Sequence, residues 1–455
     1  DLSQVKVSRN LMDVALDPEV EIFVELIGGC DYALELIEAA IDSGKHVVTA
    51  NKALIAEHGN ALFEKAQAKG VTIAFEASVA GGIPVIKALR EGLAANQISW
   101  LAGIINGTGN FILTEMRDKG RDFADVLAEA QALGYAEADP TFDVEGIDAA
   151  HKLCILASIA FGIPLNFAAV YTQGISTIDL MDLDYAEELG YRIKHLGIAR
   201  RTDKGVEMRV HPTLIPESQL LANVNGVMNA VQIHGDAVGS TLLYGPGAGS
   251  MPTASAVVAD LVDVARVLTA DPTNRVPHLA FQPAHIDDLP ILPIEETVCP
   301  FYVRLSVRDE VGVLAHITRT LADHDVSLES VIQKDGIVGE PVALILLTHA
   351  VREKDVLAAL SQIEKQSFVH ATRCRRLRDA WSWRGCWTSF AVGEVELGRR
   401  RLCGSMRLLD WSICCQRFPL ICGRPVLHCS HGGSGTFRSR PCFEDWRVSI
   451  RTWLL

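Results

Sequence analysis

The first hundred residues alternate between short apolar runs and longer amphipathic segments. VEIFVELI (20–27), HVVTA (46–50) and VTIAFE (71–76) are continuous apolar runs of strand length. Between them, DYALELIEAAIDSG (31–44) and the run from Lys52 through Lys69 carry apolar residues at helical spacing, and Gly44 and Gly70 stop them. The loop SVAGG and a helix from Ile83 to Leu93 follow. This alternation predicts a parallel βαβ series. A further strand, ISWLAGII (98–105), leads to NGTGN (106–110), a turn that opens a helix.

Helical patterns continue at 110–118, 122–133 and 146–161, and His151 and His195 both fall in helical contexts. Strand patterns occupy 206–215, 226–235 and 239–245, before an apolar helix at 253–268. This is an α+β unit whose sheet could also form a subunit interface. Residues 271–300 hold six of the eighteen prolines without periodicity, and so read as a linker. Then FYVRLSV, GVLAHITRTLADHD, VSLESVIQK, VALILLTH and KDVLAALSQIEK spell β-α-β-β-α. A last strand is expected near Phe368–Thr372, incomplete or replaced, because the composition changes there.

At 455 residues the chain has room for two to four domains. No apolar run reaches membrane-spanning length and no signal-peptide pattern opens the chain. A net charge of −14 argues against nucleic acid as a partner. That average hides two sequences. Residues 1–372 carry a net −23, whereas 373–455 hold 15 Arg, no Lys and 6 acids, a net +9. The second stretch also contains eight of the eleven cysteines and six of the seven tryptophans, without CxxC pairs or periodicity. It reads as a disordered tail translated out of frame, the alternative being a basic, cysteine-rich binding tail. Cys30, Cys154 and Cys299 sit in apolar contexts, as in a reduced, cytoplasmic protein.

Chemistry concentrates in YAEADPTFDVEGIDAAHK (135–152). Glu137 and Asp139 lie in a Pro-containing loop, and Asp148 and Lys152 share one face of the next helix. A lysine beside a carboxylate on a mostly buried helix is a candidate proton carrier. The same spacing also fits an ordinary i,i+4 ion pair worth a few tenths of a kcal/mol. Lys52 ends the strand-and-turn KHVVTANK, and strand ends of open α/β sheets are where ligands bind.

Five motifs in order carry a resemblance: TANK after a strand, EASVAGGIP, GYxExDP, DxAxxK on a helix, and YGPGAG. Together they resemble homoserine dehydrogenase, from about residue 1 to about 372, with a C-terminal ACT-like segment. The resemblance implies an α/β fold: an incomplete Rossmann-like nucleotide-binding domain (1–105), a substrate-binding and dimerisation domain (106–270), the linker 271–300, an ACT-like βαββαβ regulatory domain (301–372) and the atypical tail (373–455). Family members open with a Gly-rich loop that Gly28-Gly29 is too short to supply, so the chain is expected to begin inside that first domain.

The implied reaction interconverts L-homoserine and L-aspartate 4-semialdehyde with NAD or NADP, in threonine, methionine and isoleucine biosynthesis. Lys152 is the first choice for proton transfer and Lys52 the second. Glu137 and Asp148 would bind substrate, and Asp148 would alternatively orient Lys152. Lys52, Asn106, Gly107, Thr108 and Gly249 would lie at the cofactor. Glu76 with backbone carbonyls of Val79, Gly81 and Ile83 would hold a monovalent cation such as sodium; an ordinary Gly-rich turn explains that stretch equally well. The ACT-like segment implies a threonine effector, and the family implies a homo-oligomer, dimer or tetramer. Two alternatives stand beside it: a catalytically inert amino-acid-sensing ACT protein, and another ACT-bearing amino-acid dehydrogenase, against which the DxAxxK helix and the NK turn argue.

Overall fold

The first three apolar runs pair in parallel in the computed structural model, which describes residues 6–272, 275–334 and 341–377. The order is α1 (Leu11–Leu16), β1 (Ile22–Glu25), α2 (Asp31–Asp42), β2 (His46–Thr49), α3 (Lys52–Ala68) and β3 (Ile73–Ala74). The central strand β2 is buried at all four positions, which is why it reads as an apolar run and not as alternation. Leu36, Ile37 and Ile41 of α2 and Leu54, Ile55 and Leu62 of α3 pack into the same core. The turn after β1 needs positive φ at Gly28 and Gly29 (73° and 74°). The Glu25 carboxylate closes it, accepting from the Ile27 and Gly28 N–H groups at 2.8 and 3.0 Å and from the Thr49 hydroxyl at 2.6 Å.

A short helix, α4 (Val85–Lys87), runs into a wider turn at Ala88–Gly92. The next unit comprises β4 (Ile98–Ile104), α5 (Gly107–Lys119), α6 (Phe123–Ala132), α7 (Thr141–Val144), α8 (Ile147–Phe161), β5 (Tyr171–Thr172), α9 (Leu180–Glu188), β6 (Tyr191–Thr202), β7 (Gly205–Pro216), β8 (Met228–Gly235), β9 (Gly239–Pro246) and α10 (Ser250–Val267). Its strands run in the order β7-β6-β4-β8-β9, each antiparallel to the next. Helix α8 lies on this sheet with every residue from Asp148 to Phe161 buried. A helix covered all round belongs in the centre of a molecule.

Strand β6 corrects the sequence expectation that His195 is helical. Ten of its twelve positions are intermediate or buried in unbroken succession, Lys194 and His195 included, so no polar face marks it as a strand.

The C-terminal part comprises β10 (Val298–Cys299), β11 (Phe301–Val307), α11 (Val313–Asp323), β12 (Leu328–Gln333), β13 (Val342–Thr348), β14 (Val351–Arg352), α12 (Glu353–Ile363) and β15 (Val369–Leu377). Its main strands run β12-β13-β11-β15. Val303, Leu305, Leu344 and Leu346 face α11 and α12, while Tyr302, Ile345 and Leu347 pack with Phe111 and Ile112 of α5 and Leu183 of α9. The expected incomplete last strand is a full one. β15 pairs with β11 from Phe301↔Arg376 to Val307↔Val369, so residues 373–377 are part of the fold. It also pairs in parallel with β7 at Arg376↔Thr213 and Leu377↔Leu214, which joins the two units into one ten-stranded sheet. The remainder of the expected tail, from residue 378, lies outside the described residues.

The Pro-rich stretch 271–300 is tied to the fold at His278 and at Leu292. The His278 ring stacks on Phe63 at 4.7 Å and its Nε2 accepts from the Ile73 N–H at 3.0 Å, and the Leu292 N–H donates to the Val206 carbonyl at 2.8 Å.

Candidate active site

Helix α8 starts at Gly146, whose φ of 85° lets the chain reverse into the helix, and this fixes Asp148 on its first turn. Lys152 follows one turn later on the same face. Its ammonium donates to Asp148 Oδ2 at 2.7 Å and to the Ile105 carbonyl at 2.9 Å. Lys52, first residue of α3, reaches the other carboxylate oxygen at 3.1 Å. The Asn106 amide donates to Asp148 Oδ2 at 2.9 Å, while its Oδ1 caps α5 by accepting from the Gly109 N–H at 2.7 Å. Burial works to keep the Asp148 carboxyl neutral, yet Lys152, Lys52 and the hydrogen bonds from Lys152 and Asn106 pull its pKa down to about 2. Four sequence-chosen residues thus meet at one buried carboxylate: Asp148 itself, Lys152, Lys52 and Asn106, the first residue of NGTGN. Lys152 is almost enclosed, while about a third of the Lys52 side chain remains open to solvent.

A cavity of about 590 Å³ lies at the carboxyl ends of β1 and β2, lined by Glu25, Gly28, Asn51, Gly249 and Thr253 among others. Asn51 caps α3 through its side chain and donates to the Gly29 carbonyl at 2.6 Å, binding the strand ends together. Gly249, with φ 115°, precedes α10, and no side chain caps that helix. Exposed N–H groups at a helix N-terminus beside parallel strand ends suit a pyrophosphate. Asn51 lines this groove and the next residue, Lys52, touches Asp148, so groove and cluster are contiguous. The residues present therefore fit a dinucleotide.

Two glycine loops meet behind the groove. The Gly82 N–H donates to the Pro246 carbonyl at 3.0 Å, and a Cβ on Gly81 would stand 2.7 Å from the Gly247 carbonyl oxygen. This close backbone approach seats Gly249. Gly107 is similarly confined, 2.7 Å from the Val227 carbonyl oxygen for an added Cβ, and the Thr108 hydroxyl donates to the Tyr135 carbonyl at 2.6 Å.

Glu137 is exposed on the loop between α6 and α7, and its backbone carbonyl accepts from the Gln131 amide at 3.0 Å. No contact of its carboxylate with the Asp148 cluster brings it into that group. Glu76 is buried, with both carboxylate oxygens accepting from the Ile86 and Lys87 N–H groups at 2.9 and 2.8 Å. Burial pushes its pKa up to about 7. Val79, Gly81 and Ile83 follow in the same turn, where the Ile83 carbonyl accepts from the Val85 N–H at 2.7 Å.

Sequence reasoning passed over three neighbours. Asp143 accepts from the Asn106 amide at 2.7 Å, and burial and then the Asp148 charge raise its pKa against that bond. The Phe142 ring lies 5.5 Å from the Lys52 ammonium. Both stand in the stretch already singled out, so a further acid and an aromatic there were legible. Lys194 on β6 was not. It is buried, donates to the Val224 carbonyl at 2.6 Å and to Asn110 Oδ1 at 3.2 Å, and burial followed by Arg117 lowers its pKa to about 7.

A groove of this kind opening onto a lysine-bearing polar cluster places the chain among the dinucleotide-dependent dehydrogenases. Family models agree and are more specific: homoserine dehydrogenase matches residues 84–262, the homoserine dehydrogenase NAD binding domain residues 1–76, and the ACT domain residues 301–368. The homoserine dehydrogenase of Pseudomonas aeruginosa is 63% identical over 372 residues, 80% of this chain and 85% of the relative. The crystal structure of a homoserine dehydrogenase from Thiobacillus denitrificans, 63% identical, superposes with a TM-score of 0.79 over 82% of this chain and 85% of that one. A hyperthermophilic archaeal homoserine dehydrogenase in complex with NADPH, 29% identical, superposes with a TM-score of 0.50 over 57% of this chain and 76% of that one. The chain belongs to the homoserine dehydrogenase family, as an NAD(P)-dependent oxidoreductase with a C-terminal ACT domain. Among the described residues no helix is long and apolar enough to cross a membrane.

Proposed function

We propose that Lys152 carries the proton in the interconversion of L-homoserine and L-aspartate 4-semialdehyde, with Lys52 beside it. The observation that carries this is the single buried carboxylate, Asp148, shared by both ammonium groups. A nicotinamide dinucleotide bound in the β1–β2 groove supplies the hydride acceptor or donor. The chain's own residues do the rest. Asp148 and the Ile105 carbonyl take two of the three N–H directions of Lys152 and so aim the third. In the reducing direction Lys152 gives a proton to the aldehyde oxygen; in the oxidising direction it takes the hydroxyl proton. Asn106 holds Asp148 against rotation, and Gly107, Thr108, Lys52 and Gly249 face the cofactor.

Glu137 binds the substrate ammonium from its loop, which Thr108 pins at Tyr135. Glu76 with Val79, Gly81 and Ile83 takes a sodium ion, which would keep a carboxylate of pKa near 7 ionised. Threonine is the effector of the ACT segment. Assembly is homo-oligomeric through β9, which pairs with β8 on one side and shows Tyr244 58% exposed.

The test is reduction of L-aspartate 4-semialdehyde with C4-deuterated NADH or NADPH. One deuterium should appear on the carbinol carbon of homoserine, and Lys152→Met should lower turnover by roughly 10²–10⁴-fold while leaving cofactor affinity intact. Undiminished turnover in Lys152→Met would end the assignment.

A further inference from the structure

Away from Asp148, three unlike side chains converge. Cys30 precedes α2, and Glu57 and His58 stand on the second turn of α3. The Cys30 thiol, a Glu57 carboxylate oxygen and a His58 ring nitrogen all lie within 4.8 Å of one another. The dehydrogenase chemistry above uses none of the three.

We propose that Cys30, Glu57 and His58 form a binding site for a thiophilic divalent transition metal ion of the zinc type. One thiolate, one imidazole and one carboxylate is a donor set that selects such ions over magnesium or calcium. Tetrahedral coordination with ordinary metal–ligand lengths sets these atoms about 3.3–3.6 Å apart. Side-chain rotation of roughly an ångström therefore closes the site without moving either helix.

Glu57 is exposed, yet it is already held. The His151 Nε2 lies 3.2 Å from its Oε1, and the His151 ring is stacked on Phe167 at 4.0 Å and on Phe142 at 5.6 Å. A carboxylate fixed through one oxygen keeps the other for a metal and loses less side-chain freedom on binding. The Asn51 amide, bonded to the Gly29 carbonyl at 2.6 Å, fixes the turn that presents Cys30. As the Sγ–metal bond forms, the thiol proton passes to solvent. The bound ion would tie the β1–α2 turn to α3. Gly28 and Asn51, which line the groove, belong to those two segments, so occupancy should weaken or strengthen dinucleotide binding. That consequence alone rests on the groove's assignment.

The test follows alkylation of each of the eleven cysteines of the full chain by iodoacetamide, read peptide by peptide by mass spectrometry. Zn2+ should slow modification of Cys30 by about ten-fold or more, and Mg2+ should not. His58→Ala and Glu57→Gln should each remove most of that protection, scored as the ratio of the rates with and without Zn2+. Co2+ should give a thiolate-to-cobalt absorption band that Cys30→Ser loses. Unchanged Cys30 alkylation in Zn2+, or protection that survives both His58→Ala and Glu57→Gln, overturns the site. Zinc protection without any change in dinucleotide affinity would retain the metal site and remove only its link to the groove.

Discussion

Replacing Asp148 by Asn removes a charge and almost no volume, so its consequences are electrostatic. The carboxylate accepts from Lys152 at 2.7 Å, from Asn106 at 2.9 Å and faces Lys52 at 3.1 Å. Its pKa falls from 3.8 to about 2 although burial opposes ionisation. At about 1.4 kcal/mol per unit, the folded protein favours the ionised form by roughly 2 kcal/mol. Removing one partner of a buried pair costs about 3–5 kcal/mol, and the partial exposure of Lys52 places this site at the low end. Asp148→Asn should therefore cost about 2–3 kcal/mol of stability at neutral pH. It should also lower kcat by roughly 10²-fold or more, because the neutral amide no longer anchors both ammonium groups and turns an NH2 toward one of them. A depressed acid contributes stability that is complete above its unfolded pKa and disappears as pH falls through its folded pKa. The gap in urea midpoint between wild type and variant should thus be widest above about pH 4 and close towards about pH 2. Steady-state kinetics and urea titrations at several pH values measure both effects. A kcat within about three-fold of wild type, or a midpoint gap constant across that window, would refute the role given to Asp148.

Lys152→Met should lower kcat by roughly 10²–10⁴-fold, and combining it with Asp148→Asn should add little, since both disable one unit. Glu137→Gln should raise the KM for homoserine, with cofactor affinity nearly unchanged; equal weakening of both would make Glu137 structural. Glu76 has a raised folded pKa, so its contribution to stability falls as pH rises from 4.5 through about 7. Bound sodium should offset that loss, so the urea midpoint above about pH 7 should be higher in NaCl than in tetramethylammonium chloride, and Glu76→Gln should abolish the difference. Threonine should inhibit, and saturating homoserine should change threonine affinity by the same factor that threonine changes homoserine affinity, as linkage requires; calorimetry with each ligand in the presence of the other measures both.

The elements that could be read from sequence are those whose environment is uniform. Strand β2 and helix α8 are apolar along most of their length, and Gly44 and Gly70, which stop α2 and α3, carry the required positive φ. The Asp148–Lys152 pair could be read because helical spacing alone brings i and i+4 together. Lys52 was picked out by its strand end and Asn106 by the resemblance, but both come from distant segments, and only the fold carries them to Asp148. Strand β6 was hidden by its buried Lys194 and His195, whose polarity is answered by Val224 and Gln173 carbonyls that sequence does not reveal. The last strand was obscured by Arg373, Arg375 and Arg376, which looked foreign. In the fold Arg376 pairs with Glu353 and Arg375 donates to the Thr177 carbonyl at 3.0 Å.

That last strand changes how regulation can be examined. β15 is hydrogen-bonded to β11 on one side and to β7 on the other. Arg304 on β11 reaches Asp182 at 2.8 Å and Asp179 at 2.6 Å, both at the start of α9. Arg376 donates to the Gln173 side chain at 2.9 Å, and the Gln173 carbonyl accepts from His195 Nε2 at 3.0 Å. The His195 ring in turn packs against Gly146, where an added Cβ would stand 3.1 Å from it. Gly146 starts the helix that carries Asp148 and Lys152, so continuous packed contact runs from the ACT sheet to the candidate site. Contact of this kind is not coupling: an effector shifts the site only if it binds two arrangements of that joint unequally. Deleting residues 301–377 would strip Leu377 from Leu214 and bare the β7 edge, so lost activity would report lost structure. Single substitutions at Arg304 keep the sheet whole, and they separate an effect on threonine response from an effect on folding.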